Sequence, residues 1–161
     1  MSLPELNSAL MFTLRLDLDG AGTQVIGAVP GGQRVNVPVR GGSFEGPRLR
    51  GQVLPGADSV LLQDDGAMLI DVRLALKTDD GAVISVRYEG LAVGRRPDGT
   101  PTDGLERFLR REPVPDDELY IRTTPRFETG DGRYGWLNTI VAVSKGSRDA
   151  QGPFYQVFEI L

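Results

Sequence analysis

Hydrophobic and polar residues alternate along several stretches of this chain, which is the pattern of half-buried β-strands. In residues 10–19 every second position is leucine or phenylalanine, and the positions between them are mainly polar or charged. The same period of two recurs in 33–40, 67–77 and 82–90. A helix would scatter these apolar residues around its axis, so the pattern predicts antiparallel strands.

Short segments rich in glycine, proline and aspartate separate these strands. Asp64-Asp65-Gly66 and Asp79-Asp80-Gly81 are Asp-Gly turn sequences that predict hairpins. Residues 41–56 are rich in glycine and proline, which predicts bends that let a sheet curl and close on itself. Residues 103–111 place Leu, Phe and Leu on one face, so we expect one short helix there, capped by Thr102.

The order of these elements predicts an all-β fold. Further strands are expected over 118–124, 139–145 and 153–160, with a turn or a single helical turn over 133–138. About nine or ten short strands linked by hairpins must bury one face, and the bends favour an antiparallel up-and-down β-barrel over a sandwich. We find no domain boundary, so residues 1–161 are expected to form one barrel domain, which at this size can hold one small ligand.

Composition restricts the chemistry more than the fold. Among the 161 residues there is no cysteine and no histidine. Disulfides, thiolate nucleophiles, Ser-His-Asp triads and zinc sites built from these residues are therefore excluded, and no metal site is expected. Any catalysis must use carboxylates, phenols, cations, hydroxyls or backbone amides.

The charge balance argues against several classes of partner. The net charge of −4, from 18 Lys and Arg against 22 Asp and Glu, does not favour binding to nucleic acid. No apolar run is long enough to form a membrane-spanning helix, and the N-terminal residues lack the basic and apolar regions of a signal peptide. We therefore expect a cytoplasmic protein with neither nucleic acid nor membrane as a partner.

Three segments together resemble one bacterial and fungal family of small proteins: GGSFEGPRLRGQVLPGADS, LKTDDGAVISVRYEG and LYIRTTPRFETGDGRYGWLN. This family is catalogued as domain of unknown function three-two-three-seven, and the resemblance covers roughly residues 6–161. The family is similar to lipocalin-like β-barrels, so the resemblance implies the fold that the strand pattern predicts independently. It implies no general activity.

The densest group of chemically capable side chains lies between residues 120 and 138. Arg122 is a candidate to hold a carboxylate or enolate, and Glu128 is a candidate general acid or base. Tyr120, Trp136 and Asn138 are candidates to line the same ligand pocket. The alternative is that the aromatic residues only pack the barrel and that Arg122 and Glu128 form a structural ion pair.

A second group comes from earlier strands. Asp58 follows a glycine-rich bend and is the other candidate acid or base. Asp71 and Arg73 share one strand face, opposite Ile70 and Val72, and they belong to a site only if their face lines the lumen. Without histidine or cysteine, proton transfer would require a carboxyl group whose pKa is raised toward neutrality by desolvation. We expect these candidates to converge in one pocket: Asp58, Arg73, Arg122, Glu128, Trp136 and Asn138.

These observations favour a barrel that binds a small, partly apolar metabolite and performs acid–base chemistry on it without a cofactor, as in isomerisation, elimination or hydration. The alternative is a non-catalytic ligand carrier or a structural interaction module. A buried carboxylate at a polar cavity favours the enzyme, a purely apolar cavity favours the carrier, and a filled barrel favours the structural role. The leucine-rich strand 10–18 and the apolar end of the chain, 158–161, also predict a homo-oligomer.

Overall fold

The computed structural model describes residues 1–161 and contains ten β-strands, one α-helix and one 3₁₀ helix. The α-helix α1 (Gly104–Leu109) lies between β7 and β8, and the 3₁₀ helix (Gly132–Thr139) lies between β8 and β9. The strands are β1 (Ser8–Leu18), β2 (Gln24–Val29), β3 (Gly32–Glu45), β4 (Arg50–Val53), β5 (Gly56–Gln63), β6 (Met68–Thr78), β7 (Val83–Val93), β8 (Tyr120–Glu128), β9 (Ala142–Asp149) and β10 (Gly152–Ile160).

Eight strand positions close into an antiparallel barrel, which confirms the predicted fold class. The path runs from β1 through β10, β9, β8 and β7 to β6. The next position is shared by β4 and β5, which both pair with β6 on one side and with β3 on the other. Pairing of β3 with β1 closes the ring, and β2 lies outside it against the first half of β3.

The long strand β3 bends, so that its two halves pair with different strands. Its first half pairs with β5 and its last residues, from Gly42 onward, pair with β4 and β1. Gly42 has φ +143°, and a Cβ on it would overlap the carbonyl oxygen of Arg15. The glycine-rich segment therefore does produce the tight bend that barrel closure requires.

The aliphatic face of each strand fills the barrel. On β6, Ile70 and Val72 are buried, Arg73 is exposed and Asp71 is half-buried on the outer face. This decides the question that the alternation left open: Arg73 and Asp71 lie on the outside of the barrel because the branched side chains occupy the lumen.

Several element boundaries differ from the predictions: β3 continues to Glu45, past the predicted end at residue 40, and β4 lies within the segment predicted as bends. The helix begins at Gly104 and ends at Leu109, because Arg111 adopts a left-handed conformation with φ 64°. The N-cap position of the helix is occupied by Asp103 and not by the predicted Thr102. Strand β8 runs on to Glu128 because β7 pairs with it along its whole length, up to the pair Ser85 and Glu128.

The two ends of the barrel are built differently. At the end that we call the closed end, the 3₁₀ helix inserts Leu137, which is only 1% exposed, into the hydrophobic core. At the opposite end, the mouth, β1 ends, β10 begins and α1 contributes the buried Leu105 and Phe108. Neither helix is long and apolar enough to cross a membrane.

Candidate functional site in the barrel mouth

A cavity of about 490 Å³ opens at the mouth of the barrel. This volume suits a small organic molecule. Its polar lining includes Asp58, Arg111 and Arg148, and Phe108 of α1 overhangs it. The apolar part of its wall comes from β1, β3 and β5: Leu16, Leu18, Val35, Val37, Val60 and Leu62.

Asp58 is a carboxylate placed where the strand pattern calls for an apolar side chain. It pairs with Val37 of β3 and Val72 of β6 and shares their inward face, because cross-strand partners point to the same side of a sheet. The residue is only 8% exposed, and no protein group donates a hydrogen bond to its carboxylate. A buried carboxylate without a donor is costly when ionised.

Burial therefore changes the protonation of Asp58. Desolvation raises the pKa of the Asp58 carboxyl to about 7, and the nearby negative charge of Asp71 adds to the shift. Near neutral pH the group is present in both its ionised and its protonated form. It can accept a proton and return it within the same pH range, which is what a general acid–base residue requires.

Two buried tyrosines lie close to Asp58. Asp58 pairs with Val72, and Val72 pairs with Tyr88, so these three side chains lie in one row across the sheet. The ring centroid of Tyr88 is 5.4 Å from that of Tyr155. The Tyr155 ring packs over Gly146, where a Cβ would come within 2.8 Å of a ring carbon. Burial, chiefly, and the charge of Asp58 raise the pKa of both phenols, so both stay protonated and can donate hydrogen bonds.

Two arginines lie above these groups, nearer to solvent. Arg148 of β9 places its guanidinium 4.8 Å from the centre of the Phe108 ring, and its Nε is buried without a hydrogen-bond partner. Arg111 follows α1, and its guanidinium lies against Gly20, where a Cβ would collide with it. Neither arginine forms an ion pair within the protein.

The predicted site residues do not converge in this cavity, and that expectation is corrected here. Of the six, only Asp58 lines it. Arg73 is exposed on the outer face of the barrel. Glu128 is exposed at the end of β8, where it lines, together with Asn138, a separate groove of about 670 Å³ near the closed end. Inward positions of β8 belong to Ile121 and Phe127, so alternation turns Glu128 outward.

The remaining three of these six candidates, and Tyr120, make structural contacts. Tyr120 lies between the guanidinium groups of Arg95 and Arg122, at 4.0 and 4.3 Å from its ring centre. Arg122 and Glu128 form no ion pair, because six residues of extended strand separate them. Trp136 stacks on Arg48 at 3.5 Å. Asn138 exchanges two hydrogen bonds with the backbone of Thr129 and so closes the loop after β8.

Sequence reasoning missed Arg111 and Arg148, which line the cavity, and the two buried tyrosines near Asp58. Tyr88 and Tyr155 occupy inward positions of strands with alternating patterns. Their phenol groups could therefore have indicated that the lumen contains polar atoms. Arg111 belongs to a helix segment whose other arginines, Arg107 and Arg110, do form exposed ion pairs, and nothing in the sequence separates it from them. Arg148 lies in no recognisable motif.

The sequence and fold of this chain match those of known proteins. A model of the family described as protein of unknown function (DUF3237) matches residues 5–160. A protein of Rhodopseudomonas palustris is 33% identical over 159 residues, which cover 98% of this chain and 99% of the relative. This chain belongs to the DUF3237 family. The resemblance noted from the three sequence segments is thereby confirmed.

Several solved structures share the fold of this chain. The structure of the conserved protein of unknown function from Rhodopseudomonas palustris has a TM-score of 0.87 and covers 99% of this chain and 100% of that one. A beta-barrel like protein from Acinetobacter baumannii has a TM-score of 0.80 at 30% identity and covers 99% of each chain. An enzyme from Penicillium herquei has a TM-score of 0.72 over 100% of this chain and 99% of that one. Because it is only 19% identical, it shows the fold alone.

Proposed function

We propose that this barrel binds a small, partly apolar molecule in its mouth and performs acid–base chemistry on it through Asp58, without a cofactor. The observation that carries the proposal is a buried carboxyl group with no internal hydrogen-bond donor, facing a ligand-sized cavity. Perturbed carboxyl groups in clefts are typical of catalytic acids and bases.

The chemistry follows from the protonation of Asp58. As a carboxylate it takes a proton from a carbon or hydroxyl group of the ligand, and as a carboxylic acid it returns that proton to another atom of the ligand. The net result is an isomerisation, or an elimination or hydration when water leaves or enters.

The lining of the cavity supports an enzyme over a carrier. A carrier for apolar ligands needs no buried carboxylate, and an ionisable group without a partner destabilises the fold. Such a group is retained more readily where it performs chemistry, as in many active sites. The enzyme from Penicillium herquei shares the fold of this chain, so catalysis occurs in at least one barrel of this architecture.

The first experiment is a carbon-detected NMR titration of the side-chain carboxyl groups. We expect the Asp58 carboxyl to titrate near a pH of about 7. A titration of Asp58 near the ordinary value of about 4 would remove the catalytic proposal and leave ligand binding alone.

The second experiment measures proton exchange. The protein is incubated in heavy water with a panel of small ketones, enones and hydroxy acids, and exchange of carbon-bound protons is followed by NMR. Asp58→Asn should slow any exchange by about 10²–10⁴-fold, because it keeps the size of the side chain and removes the base. Glu128→Gln is the matched control and should leave the rate unchanged. Ligand binding without exchange would instead identify a carrier.

A further inference from the structure

We infer that the ligand of the mouth is an organic anion with an apolar body, whose negative group is bound by Arg111 and Arg148. The inference rests on the proposed function, because it concerns the same cavity. It goes further in naming the charge of the ligand and the two residues that would bind it. Both arginines line the cavity together with Asp58 and Phe108.

Arg148 is a half-buried cation that lacks a counter-charge. Its Nε is shielded from solvent without a hydrogen-bond partner, and its guanidinium is packed against the Phe108 ring. Burial lowers the pKa of Arg148, and the like charge of Arg111 lowers it further. A buried charge is normally paired, so a group that stays unpaired beside a cavity is suited to an external partner.

Arg111 is held in place at a conformational cost. It is the one non-glycine residue with a positive φ, and its guanidinium lies against Gly20 in the turn after β1. A left-handed conformation in a residue with a long side chain is uncommon, and it persists where the surrounding structure imposes it. Gly20 leaves the space that this guanidinium occupies. The result is a second cation fixed near Arg148.

The acidic residues next to these arginines in the chain and in the cavity form no ion pair with either of them. Asp17 lines the same cavity but is paired with Arg40, at 3.1 Å. Asp149, next to Arg148, is paired with Arg15 at 2.8 Å. Asp19, next to Gly20, accepts a hydrogen bond from the backbone nitrogen of Gly22. The mouth therefore keeps two positive charges available to a ligand.

The remaining lining defines the rest of the ligand. Aliphatic side chains of β1, β3 and β5 and the Phe108 ring provide a wall for an apolar body. Asp58 lines the same cavity as the two arginines but forms no ion pair with either of them. The ligand thus has an anionic group at one end, bound near solvent, and its reactive part at the other, next to Asp58. An aryl or alkyl carboxylate fits this arrangement.

The test compares two fluorescent dyes with the same aromatic body. Anilinonaphthalene sulfonate is an apolar anion, and phenylnaphthylamine is its neutral counterpart. We expect the sulfonate to bind the wild-type protein at least about tenfold more tightly than the neutral dye, because charge-assisted hydrogen bonds to guanidinium groups are strong.

Variants locate the anion. Arg148→Gln and Arg111→Gln should each weaken sulfonate binding by about 10- to 100-fold and leave binding of the neutral dye within about twofold. Arg148→Lys should recover part of the loss, because it restores the charge without the planar fork. Arg126→Gln, an exposed arginine beside the groove near the closed end, is the control and should have no effect. Thermal unfolding of each variant shows that it is folded.

Each outcome decides a separate claim. Equal binding of both dyes, with equal losses in the two arginine variants, would overturn the anion assignment while the ligand cavity stands. A loss of sulfonate binding in Arg126→Gln as large as in Arg148→Gln would place the anion elsewhere and also overturn it. Binding of neither dye would reject the ligand-binding cavity itself, and with it the proposed function.

Discussion

The two ends of the barrel differ in how their charged side chains are neutralised. At the closed end, Arg133 bonds to Asp131 at 2.7 Å, and Asp80 accepts a hydrogen bond from the Tyr134 hydroxyl at 2.8 Å. At the mouth, Asp58 and Arg148 have buried polar atoms without any partner in the protein. Both ends contain aromatic and charged residues, so composition alone does not distinguish them.

The difference shows which of the two ends is built for a ligand. A charged group that is paired within the protein gains nothing from an external partner, whereas an unpaired group beside a cavity does. At the closed end, Leu137 fills the barrel and Asn138 holds the loop after β8 by hydrogen bonds. We call this part of the molecule the plug. The mouth keeps unsatisfied groups facing a cavity, and this is the functional feature.

The largest expected effect is on the pH dependence of stability at the mouth. The pKa of Asp58 is raised in the folded state, so folding favours the protonated form. Stability should fall as the pH rises from about 4 through about 7, by about 4 kcal/mol in total. Asp58→Asn should remove this loss and make the protein more stable than wild type at a pH of about 8. Urea unfolding at a series of pH values measures both curves.

The closed end provides the opposite control. Hydrogen bonds from the Arg133 guanidinium and backbone lower the pKa of Asp131 to about 2. Its contribution to stability is therefore present above a pH of about 4 and is lost as the pH falls toward 2. Asp131→Asn should weaken the protein at neutral pH and flatten only the acid limb of the curve. If Asp58→Asn and Asp131→Asn flattened the pH dependence of stability equally near neutral pH, the contrast between the two ends would be contradicted.

The next effect concerns the plug. Leu137→Ala leaves a cavity where a fully buried side chain fills the closed end, so it should lower the free energy of unfolding by about 2–5 kcal/mol. Dye binding at the mouth should be unchanged in the folded variant. A loss of dye binding at concentrations where the variant is folded would show that the two ends are not independent.

A smaller effect is expected at the loop after β8. Asn138→Ala removes two hydrogen bonds to the backbone of Thr129 and should cost about 1 kcal/mol of stability. Asn138 was a candidate ligand-binding residue, so ligand affinity in this variant discriminates between the two roles. If Asn138→Ala costs more free energy of ligand binding than free energy of unfolding, Asn138 belongs to the binding site.

The smallest effect is expected at the outer face. Glu128→Gln and Arg73→Gln change exposed side chains that make no ion pair, so each should alter stability by less than about 0.5 kcal/mol. Thermal unfolding at neutral pH measures this. A larger change would indicate that the outer face is buried in an assembly. Sedimentation would then test directly whether the predicted homo-oligomer forms.

The sequence by itself determined the all-β class, the approximate strand positions and the limits on chemistry. Alternation of apolar and polar residues is a local property, so it shows which side chains share a face of each strand without knowledge of its neighbours. The absence of histidine and cysteine left carboxylates as the candidate acids and bases. Asp58 could be singled out on that basis because it lies next to a glycine-rich bend.

Only the tertiary structure decided which side chains meet. Long-range pairing between β1 and β3 closes the barrel, and it brings the end of α1 and the end of β9 to the same opening. Arg111 and Arg148 therefore meet although nothing in the sequence links them. Candidates that were close in sequence, such as Arg122 and Glu128, lie apart because an extended strand carries each residue about 3.3 Å further from the last. Local pattern sets which side chains share a face, whereas strand pairing and barrel closure set which face lines the lumen and what each side chain meets.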